Sequence, residues 1–401
     1  MQKSKDEQIK ELLEKGIANI YPDREFLEKN LTSGQKLTIY LGIDPTGPEL
    51  HIGHAIPLRK LRAFQDLGHR VILLIGDFTA LCGDPDKSYT RKRLSTKEIA
   101  QNIKNYQKQI SLILNLHGKN PATFKFNNDW LGKLKFTDII EIASNFTVQQ
   151  MLARDLFDKR LKAGNPIALH EFLYPLMQAY DSVAMDVDGE IGGNDQTFNM
   201  LSGRDLMKAM RGKEKFVLTT KLLADPTGKK MGKTEGNMIT LSDSPTDMFG
   251  KIMSWGDEMI ALGFELCTNA TLKEIEDIKK MLENDVNPRD LKAQLGKEIV
   301  TLYHSKQKAL EAEAEFNKIF KNKENPDNLT EIIIKKQPYN IIDLIMIAKL
   351  ASSKGEAKRL VEQNAVKLGT AMINNWKSNI SPETNDILKV GKRKFAKLII
   401  R

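Results

Sequence analysis

Two apolar runs on either side of an amphipathic segment determine the fold class predicted for the start of the chain. KLTIYLGI (36–43) predicts a buried strand, and VILLIGDF (71–78) predicts a second strand that is covered on both faces. Between them, apolar residues recur at spacings of three from Leu58 to Leu67, which predicts a helix that Gly68 ends. Strand, helix and strand in this order form a βαβ unit. The sequence therefore predicts an α/β fold whose first loop opens at the carboxyl end of a parallel sheet, where such folds bind ligands.

The periodicity of the rest of the chain changes once, near residue 238. Before that point it predicts an N-terminal helix with Ile17 on its apolar side, a long helix from Ser95 to about Leu116, helices over 136–153 and 166–185, and a strand at 215–223. After it, residues 245–321 are expected to form successive helices, a polar segment with two prolines predicts a linker, and the end of the chain predicts a small mixed unit. A chain of 401 residues is longer than one core usually organises, so several domains are expected.

Composition narrows the class of protein. Hydrophobic residues make up 41% of the chain and charged residues 28%, as in ordinary globular proteins. No apolar run approaches the roughly 20 residues of a membrane-spanning helix, and the N-terminal segment lacks the apolar stretch of a secretory signal. The two cysteines are far apart in sequence, which disfavours a disulfide framework and a cysteine zinc site. We therefore expect a cytoplasmic protein with no membrane partner.

The positive charge is concentrated at the end of the chain. The formal net charge is +9, and residues 341–401 contain twelve Lys/Arg against five Asp/Glu, a net charge of +7. The first 340 residues therefore account for only +2. This distribution favours a polyanion-binding module attached to a near-neutral body, and a solvated lysine-rich surface is the alternative.

Two histidines, His51 and His54, stand immediately before the first predicted helix. A zinc site needs three or four ligands, and no other His/Cys cluster offers a third. A helix N-terminus, in contrast, offers free N–H groups to a phosphate, and Gly53 allows a ligand to approach the backbone. Two imidazoles could donate further hydrogen bonds to that phosphate. We therefore favour a phosphate site over a metal site, and two hydrogen-bonded structural side chains remain the alternative.

A second candidate phosphate site is the loop DPTGKKMGKTEGN (225–237). It contains Lys230 and Lys233, which are followed by Thr234. Lysines on a glycine-containing loop suit a transient grip on pyrophosphate, because such a loop can close and open again. Many Lys-Gly loops are merely exposed surface, so this motif gains its value from the histidine pair earlier in the chain.

The two motifs together resemble the signature motifs of class I aminoacyl-tRNA synthetases, HIGH (51–54) and KMGKT (230–234). Their neighbours narrow the resemblance to the bacterial-type tyrosyl-tRNA synthetases. These neighbours are YLGIDPT (40–46), GDFTALCGDP (76–85), LYPLMQAYDS (173–182) and EIGGNDQTFN (190–199). The end of the chain, from SSKGEAKRLVEQNAVKLG onward, is similar to the small RNA-binding domain named for ribosomal protein S-four.

The resemblance implies a two-step reaction. Tyrosine attacks the α-phosphate of ATP to give tyrosyl-adenylate and pyrophosphate, and tRNA(Tyr) then accepts the tyrosyl group at its 3′ end. In this reaction His51 and His54 stabilise the phosphate in the transition state. Lys230 and Lys233 draw the pyrophosphate away, with Thr234 as a supporting donor. Mg²⁺ accompanies ATP and is held mainly by phosphates, with no protein metal site expected.

The resemblance also implies roles for residues that contact the substrates. The residues implied for tyrosine are Tyr40 and Asp181 at the phenol, Asp84, Tyr174 and Gln178 at the ammonium group, and Gln196 near the reacting carboxylate. The residues implied for ATP are Gly42, Asp44, Gly53, Gly193, Asp195 and Lys233. For any one of these residues a structural role would be the more common explanation, and it is their joint spacing that favours a shared site.

The domain organisation follows from the same resemblance. It implies a Rossmann-like parallel-sheet catalytic domain, an α-helical anticodon-binding domain and a small α+β RNA-binding domain. The implied boundaries are 1–237 for the catalytic domain, with a dimer-interface insertion at about 120–180, 238–325 for the helical domain, 326–339 for a linker and 340–401 for the S-four-type domain. A homodimer is implied by the helices near 137–180, and their apolar faces could instead pack within one chain.

Two departures and two rival interpretations remain open. Gly232 stands where the family commonly has serine, which keeps the lysines and predicts a more mobile loop. Asp86-Lys87 replace a small Ser-Gly pair, which predicts a different shape for the loop at 84–88. The first rival is a related class I synthetase for tryptophan. The second is a non-catalytic RNA-binding paralogue that kept the fold.

Overall fold

The computed structural model describes residues 3–84, 94–228, 238–284, 286–320, 329–391 and 394–401. Several of the residues predicted above therefore lie outside the described residues: Asp86, Lys87, Lys230, Gly232, Lys233 and Thr234. The chain divides into two compact units, Met1–Glu313 and Ala314–Arg401.

The first unit is built on a six-stranded sheet with the order β1-β6-β5-β2-β3-β4. Its strands are β1 Ile17–Tyr21, β2 Thr38–Ile43, β3 Arg70–Ile75, β4 Thr123–Phe126, β5 Gly189–Gly193 and β6 Phe216–Thr220. Strands β2 to β6 pair in parallel, and β1 pairs antiparallel with β6 at one edge. The predicted α/β class with a Rossmann-like parallel sheet is confirmed, and three of the strands were predicted from their apolar runs.

Helices connect these strands and continue beyond the sheet. They are α1 Lys5–Glu14, α2 Arg24–Thr32, α3 Ile52–Asp66, α4 Thr79–Cys82, α5 Thr96–Ile103, α6 Tyr106–Ile110, α7 Asn128–Leu131, α8 Phe136–Ala143, α9 Val148–Leu152, α10 Asp155–Lys162, α11 Leu173–Met185, α12 Thr197–Arg211, α13 Pro245–Met253, α14 Ile260–Cys267, α15 Leu272–Glu283, α16 Pro288–Tyr303 and α17 Lys306–Phe320. Compact unit one therefore spans both the predicted catalytic domain and most of the predicted helical domain, without a division at residue 237.

Three predicted elements differ from the structure. Ile17 belongs to β1 and not to the N-terminal helix, because Gly16 adopts a φ of +64°, a conformation that ends a helix. The predicted long helix from Ser95 is split into α5 and α6, and the predicted helix over 136–153 is split into α8 and α9. In the second case Thr147 caps the new helix by accepting a hydrogen bond from the Gln150 backbone N–H at 3.2 Å.

The second unit has its own sheet and core. Its five-stranded sheet has the order β10-β9-β12-β13-β7, and α18 Ile341–Ile347 and α19 Lys354–Glu362 supply helices. Its strands are β7 Thr330–Ile334, β8 Tyr339–Asn340, β9 Val366–Leu368, β10 Ala371–Ile373, β11 Asn379–Ile380, β12 Ile387–Val390 and β13 Lys394–Ile400. The core includes Leu344, Val361 and Leu398, all fully buried. The predicted small α+β unit therefore has a core of its own.

The linker predicted at 326–339 is wrong for its described part. Residues Thr330–Ile334 form β7, which pairs in parallel with β13 so that Ile332 lies opposite Leu398. The prediction followed the prolines and polar residues on both sides and overlooked the isoleucine run between them. β-Branched side chains favour a half-buried strand, and here they complete the edge of the second sheet.

Candidate active site

The candidate site lies where the chain reverses direction across the first sheet. From β2 the chain continues to β3 on one side, and from β5 it continues to β6 on the other, while β2 and β5 are neighbours. The carboxyl ends of such a strand pair flank a crevice, which is where open α/β sheets bind ligands. Gly42 and Asp44 lie at the end of β2, and Gly193 and Asp195 lie at the end of β5. The sheet topology thus places four of the residues implied for ATP at two adjacent strand ends, while Gly53 is on α3 and Lys233 lies outside the described residues.

The histidine pair forms the start of α3. His51 is the N-cap, and its Nδ1 accepts a hydrogen bond from the Gly53 backbone N–H at 3.1 Å. The Nδ1 atom of His54 accepts from the His51 backbone N–H at 3.2 Å, and the two rings stack with centroids 3.8 Å apart. A Cβ added at Gly53 would lie 3.0 Å from the His51 ring, so the lack of a side chain at Gly53 leaves room for that ring.

The protonation state of both rings follows from these contacts. Burial lowers the pKa of His51, and burial together with the neighbouring His51 lowers the pKa of His54 to about 3. Both imidazoles are therefore neutral at physiological pH. Because each Nδ1 accepts a hydrogen bond, the ring proton is assigned to Nε2. The pair presents two neutral Nε2–H donors, which suit a phosphate oxygen. The free N–H groups expected at this helix start are absent among Ile52 to Ala55, because Ile52 donates to Ile239 O, Gly53 to His51 Nδ1, and His54 and Ala55 to His51 O.

The chain that follows the lysine loop is paired with the histidine segment. Ile52 donates its backbone N–H to Ile239 O at 2.9 Å, and Leu241 donates its backbone N–H to Leu50 O at 2.9 Å. Between these two bonds, His51 and Thr240 form an isolated antiparallel β-bridge. The described flank of the loop is therefore paired with the HIGH segment, and the lysines themselves lie outside the described residues.

Residues implied for the tyrosine phenol lie together in the buried interior. Tyr40 is fully buried on β2, and its hydroxyl is 3.0 Å from the Ser182 hydroxyl. Asp181 on α11 is 2% exposed and accepts hydrogen bonds from Trp130 Nε1 at 2.7 Å and Asn127 Nδ2 at 3.2 Å. Burial raises the pKa of Asp181 well above its ordinary range, and these two donors oppose that effect. A buried carboxyl held in this way is suited to pair with a polar group of a ligand.

Asp84 and Gln196, which the family resemblance places near the amino and carboxyl groups of tyrosine, are in direct contact. Gln196 Nε2 donates to Asp84 Oδ2 at 2.8 Å. The other carboxylate oxygen accepts from Arg154 at 2.6 Å, and this ion pair is largely buried. A substrate ammonium group that binds Asp84 must therefore share the carboxylate with Arg154. Sequence reasoning missed Arg154, because it belongs to a distant helical segment with no local signal.

Tyr174 and Gln178, one turn apart on α11, are held by two different acidic residues. Tyr174 donates its hydroxyl proton to Asp44 Oδ2 at 2.9 Å, which ties α11 to the end of β2. Burial raises the pKa of Tyr174 well above its ordinary value, and the charges of Asp44 and Asp84 add to this effect. Gln178 donates to Glu190 Oε1 at 3.0 Å. The Gln178 amide is therefore held by a residue of strand β5.

A buried ion pair underlies this part of the site. Lys215 and Glu190 are 0% and 2% exposed and form an ion pair, and Lys215 also donates to Ser182 Oγ at 2.8 Å. Ser182 in turn contacts the Tyr40 hydroxyl. This network links Tyr40 and Gln178 through the core. It was missed from the sequence, because its members come from three separate elements.

Some of the missed residues did carry a signal. Asn127 follows β4 directly, and Thr79 follows β3 after a short turn, so both are polar residues at the carboxyl ends of parallel strands. In the structure Asn127 reaches Asp181, and Thr79 donates to Asp44 Oδ1 at 2.7 Å. Among the described residues, no group of three or more His, Cys, Asp or Glu could hold a metal ion. Within the same part of the chain, no helix has the length and apolarity that a membrane crossing requires.

Comparison with known proteins identifies the family. Residues 32–321 match the family model of class I tRNA synthetases for tryptophan and tyrosine. The chain belongs to this family. Among curated class I synthetases, it is 45% identical over 97% of both chains to the tyrosine–tRNA ligase of Carboxydothermus hydrogenoformans. It is 43% identical to that of Thermotoga maritima, over 98% of this chain and 97% of the relative.

Solved structures agree with the class I synthetase fold. The C-terminally truncated mitochondrial tyrosyl-tRNA synthetase of Aspergillus nidulans superposes with a TM-score of 0.65 at 23% identity. The superposition covers 78% of this chain and 94% of the other. At this level of identity the likeness concerns the fold, and the fold is that of a class I synthetase.

Proposed function

We propose that this class I synthetase is a tyrosine–tRNA ligase. The observation that carries the proposal is the buried Asp181, which receives hydrogen bonds from Trp130 and Asn127 in the same region as Tyr40. Such a carboxyl suits a substrate side chain with a donor at its far end, which the tyrosine phenol has and the phenylalanine ring lacks. An indole N–H could also donate to it, as that of Trp130 does, so the choice of tyrosine over tryptophan rests on the relatives. The curated relatives named tyrosine–tRNA ligase, at 45% and 43% identity, support the same substrate.

The proposed first step is an in-line displacement at phosphorus. A tyrosine carboxylate oxygen forms a bond to the α-phosphorus of ATP as the bond from that phosphorus to the pyrophosphate oxygen breaks. No side chain becomes a nucleophile, so the protein contributes positioning and charge stabilisation. His51 and His54 donate from Nε2 to phosphate oxygens as negative charge grows there. Lys230, Lys233 and Thr234 are assigned to the departing pyrophosphate.

The second step transfers the tyrosyl group. A ribose hydroxyl at the 3′ end of tRNA(Tyr) attacks the tyrosyl carbonyl carbon and AMP leaves with its phosphate. Mg²⁺ would enter this site together with ATP. The histidine N–H donors are suited to phosphate oxygens and not to a hard cation, so they would not be its ligands. When bound, it would neutralise phosphate charge while being held mainly by phosphate oxygens. We place the protein in the cytoplasm, where tRNA is charged.

Amino-acid-dependent exchange of labelled pyrophosphate into ATP tests this proposal. We expect exchange with tyrosine that exceeds the rates with phenylalanine and tryptophan, since only tyrosine pairs its hydroxyl with Asp181. Exchange with tryptophan and not with tyrosine would reassign the substrate. No exchange with any amino acid, in a preparation that unfolds cooperatively, would favour a non-catalytic RNA-binding paralogue.

We also propose that the chain acts as a homodimer. Several apolar side chains between residues 136 and 173 are exposed in the single chain. They are Phe136 (77% exposed), Leu169 (81%), Val148 (67%), Leu161 (57%), Ile140 (56%) and Leu173 (39%). A concentration of exposed apolar residues in one segment is typical of an interface.

Phe136→Asp is expected to raise the dimer dissociation constant about tenfold or more, because it places a charge in an apolar contact. Sedimentation velocity over a range of protein concentrations measures this change. Met281→Asp is the matched control, since Met281 is 44% exposed but lies outside this segment. A wild-type chain that sediments as a monomer, or equal dissociation constants for both variants, would contradict the proposed interface.

Partnership with tRNA is supported by charge. The last 61 residues carry a net charge of +7, and they form most of the second compact unit. Such a unit binds RNA largely through phosphates, so its affinity should fall with rising salt. The proposed partners are therefore L-tyrosine, ATP, tRNA(Tyr) and a second copy of the chain.

A further inference from the structure

The first unit contains a cavity of about 710 Å³ that the proposed reaction does not use. It lies against the later turns of α3, where it is also bounded by α1 and α14. Its size is within the range of small-molecule sites. None of the residues assigned above to tyrosine or ATP lines it. Lys60, which does line it, is six residues after His54, or about 9 Å along the helix.

Five cationic side chains line this cavity, and three of them make their hydrogen bonds to uncharged acceptors. Lys15 is only 9% exposed, and its Nζ donates to the carbonyl oxygens of Thr268 at 2.8 Å and Ala270 at 2.6 Å. Lys60 Nζ donates to Leu12 O at 2.9 Å. Arg59 donates to Thr268 O at 2.5 Å and to Asn269 Oδ1 at 2.7 Å. In the described part of the chain, none of the three cations forms an ion pair.

The carboxylates of the same cavity have other partners. Glu11 pairs with Lys3, Asp66 with Arg62 at 2.7 Å, and Glu265 with Lys221 at 2.7 Å. The three remaining cations therefore leave the cavity with an uncompensated positive charge. An ammonium group has three N–H donors, so Lys60 keeps donors beyond the one directed to the Leu12 carbonyl.

The surroundings of the cavity lower the pKa values of both lysines. Burial lowers the pKa of Lys60 to about 7 and that of Lys15 to about 8, and each feels the positive charge of Arg59. The groups that face Lys60 are Lys15 and Glu11 from the α1 end, Arg59 from α3 and Glu265 from α14. A bound anion would stabilise the protonated lysines further, since Glu11 and Glu265 act on Lys60 only at a distance and form their ion pairs with Lys3 and Lys221.

We propose that this cavity binds a small phosphorylated molecule with an apolar body. Arg59 and Lys60 hold the phosphate, and Leu112, which lines the cavity and is 43% exposed, contacts the apolar part. A guanidinium group matches the oxygens of a phosphate, and a lysine adds a point charge. A free phosphate ion would leave most of the volume unfilled. A site on α3 is well placed to influence the histidines that begin the same helix.

Isothermal titration calorimetry tests this site with 1-naphthyl phosphate as the probe. A non-reactive tyrosyl-adenylate analogue first saturates the active site, so that the probe can bind only elsewhere. We expect one probe molecule per chain, with inorganic phosphate and 1-naphthol each binding at least about tenfold more weakly. Lys60→Met and Arg59→Gln should each raise the probe dissociation constant about tenfold or more, because each removes a charged hydrogen bond.

Lys29→Met is the matched control, because Lys29 is an exposed lysine on α2 that does not line the cavity. Thermal unfolding and pyrophosphate exchange of every variant show whether it is folded. Equal probe affinity in wild type, Lys60→Met and Arg59→Gln, or no binding to folded wild type, would overturn the proposal. So would a loss of tRNA affinity in Lys60→Met without any probe binding to wild type, since the cavity would then serve an RNA phosphate.

The pH dependence gives an independent readout. The phosphate of the probe favours the protonated form of the lysines. The affinity for the probe should therefore fall as the pH rises from 7 to 9, through the pKa values of Lys60 and Lys15. Binding at pH 8 should also take up protons, which calorimetry in buffers of different ionisation enthalpy detects. Affinity and proton uptake that do not change over this range would contradict the assignment of the lysines to the phosphate.

Discussion

Asp181→Ala is expected to lower kcat/KM for tyrosine by about 10²-fold in the exchange reaction, because it deprives the substrate hydroxyl of its proposed partner. A buried hydroxyl left unpaired costs about 1–3 kcal/mol, which corresponds to roughly 10- to 10²-fold. The substitution also removes the acceptor of Trp130 Nε1 and Asn127 Nδ2. These two donors are unpaired in free and substrate-bound enzyme alike, so they lower stability and not kcat/KM.

The KM for ATP should stay within about twofold of the wild-type value, because Asp181 is on α11 and none of the residues implied for ATP is on that helix. The ratio of tyrosine to phenylalanine kcat/KM separates a substrate contact from general damage. Asp181→Ala should bring this ratio towards one, because phenylalanine never used the carboxyl. Equal losses for both amino acids, or an equal loss of ATP affinity, would show that Asp181 only maintains the structure.

Asp181→Asn is the informative second variant. Asparagine keeps an acceptor for Trp130 and nearly the volume of aspartate, and removes the capacity for charge. We expect it to unfold at a denaturant concentration close to that of wild type and to lose less activity than Asp181→Ala. This comparison distinguishes the hydrogen-bonding role from packing even if the alanine variant is destabilised.

The sequence predicted those parts of the site that depend on local pattern and on sheet topology. The apolar runs predicted β2, β3 and β6, and the carboxyl ends of parallel strands are where Asp44 and Asp195 lie. His51 was placed at a helix start by its position before an amphipathic segment, and it is the N-cap of α3. These features require only periodicity and short-range capping, which a single sequence contains.

What the sequence could not provide are contacts between distant elements. The bond from Trp130 to Asp181 joins residues 51 apart, and the bond from Arg154 to Asp84 joins residues 70 apart. The Lys215–Glu190 pair is charged and buried, the opposite of what composition leads one to expect for either residue. Tertiary packing, and no local propensity, determines these partners.

The errors in secondary structure have a similar origin. The predicted linker contains β7 because only the neighbouring β13 reveals that the isoleucine run is a strand. Ile17, the first residue of β1, was predicted as part of a helix because the pairing of β1 with β6 is formed by residues about 200 positions later. In both cases an edge strand too short to show clear alternation is stabilised by a partner from elsewhere in the chain.

The second prediction with a large effect concerns the histidine pair. His54→Ala is expected to lower kcat for tyrosine-dependent exchange by about 10²–10³-fold with little change in the KM for ATP. The reason is that a donor which acts as charge develops on the phosphate stabilises the transition state more than the bound substrate. His54→Gln, which restores an N–H donor, should recover part of the lost rate.

The pKa of His54 determines the direction of the pH dependence that is expected for activity and stability. The pKa of His54 is lowered to about 3, so the ring is neutral between pH 5 and 8, and wild-type kcat should show no titration of His54 in that range. Because the folded pKa is below the ordinary value of 6.5, the unfolded chain binds more protons between pH 3 and 6.5. The wild type should therefore lose stability as the pH falls through this range, and His54→Gln should lose less.

His117→Ala is the control for the kinetic measurement, because His117 is exposed and lies outside the site. It should leave kcat unchanged. If His54→Ala kept kcat within about threefold of wild type, or raised the KM for ATP at unchanged kcat, the ring would contribute to ground-state binding only. The neutral Nε2–H donor beside the N-terminus of α3 would then have no part in the chemical step.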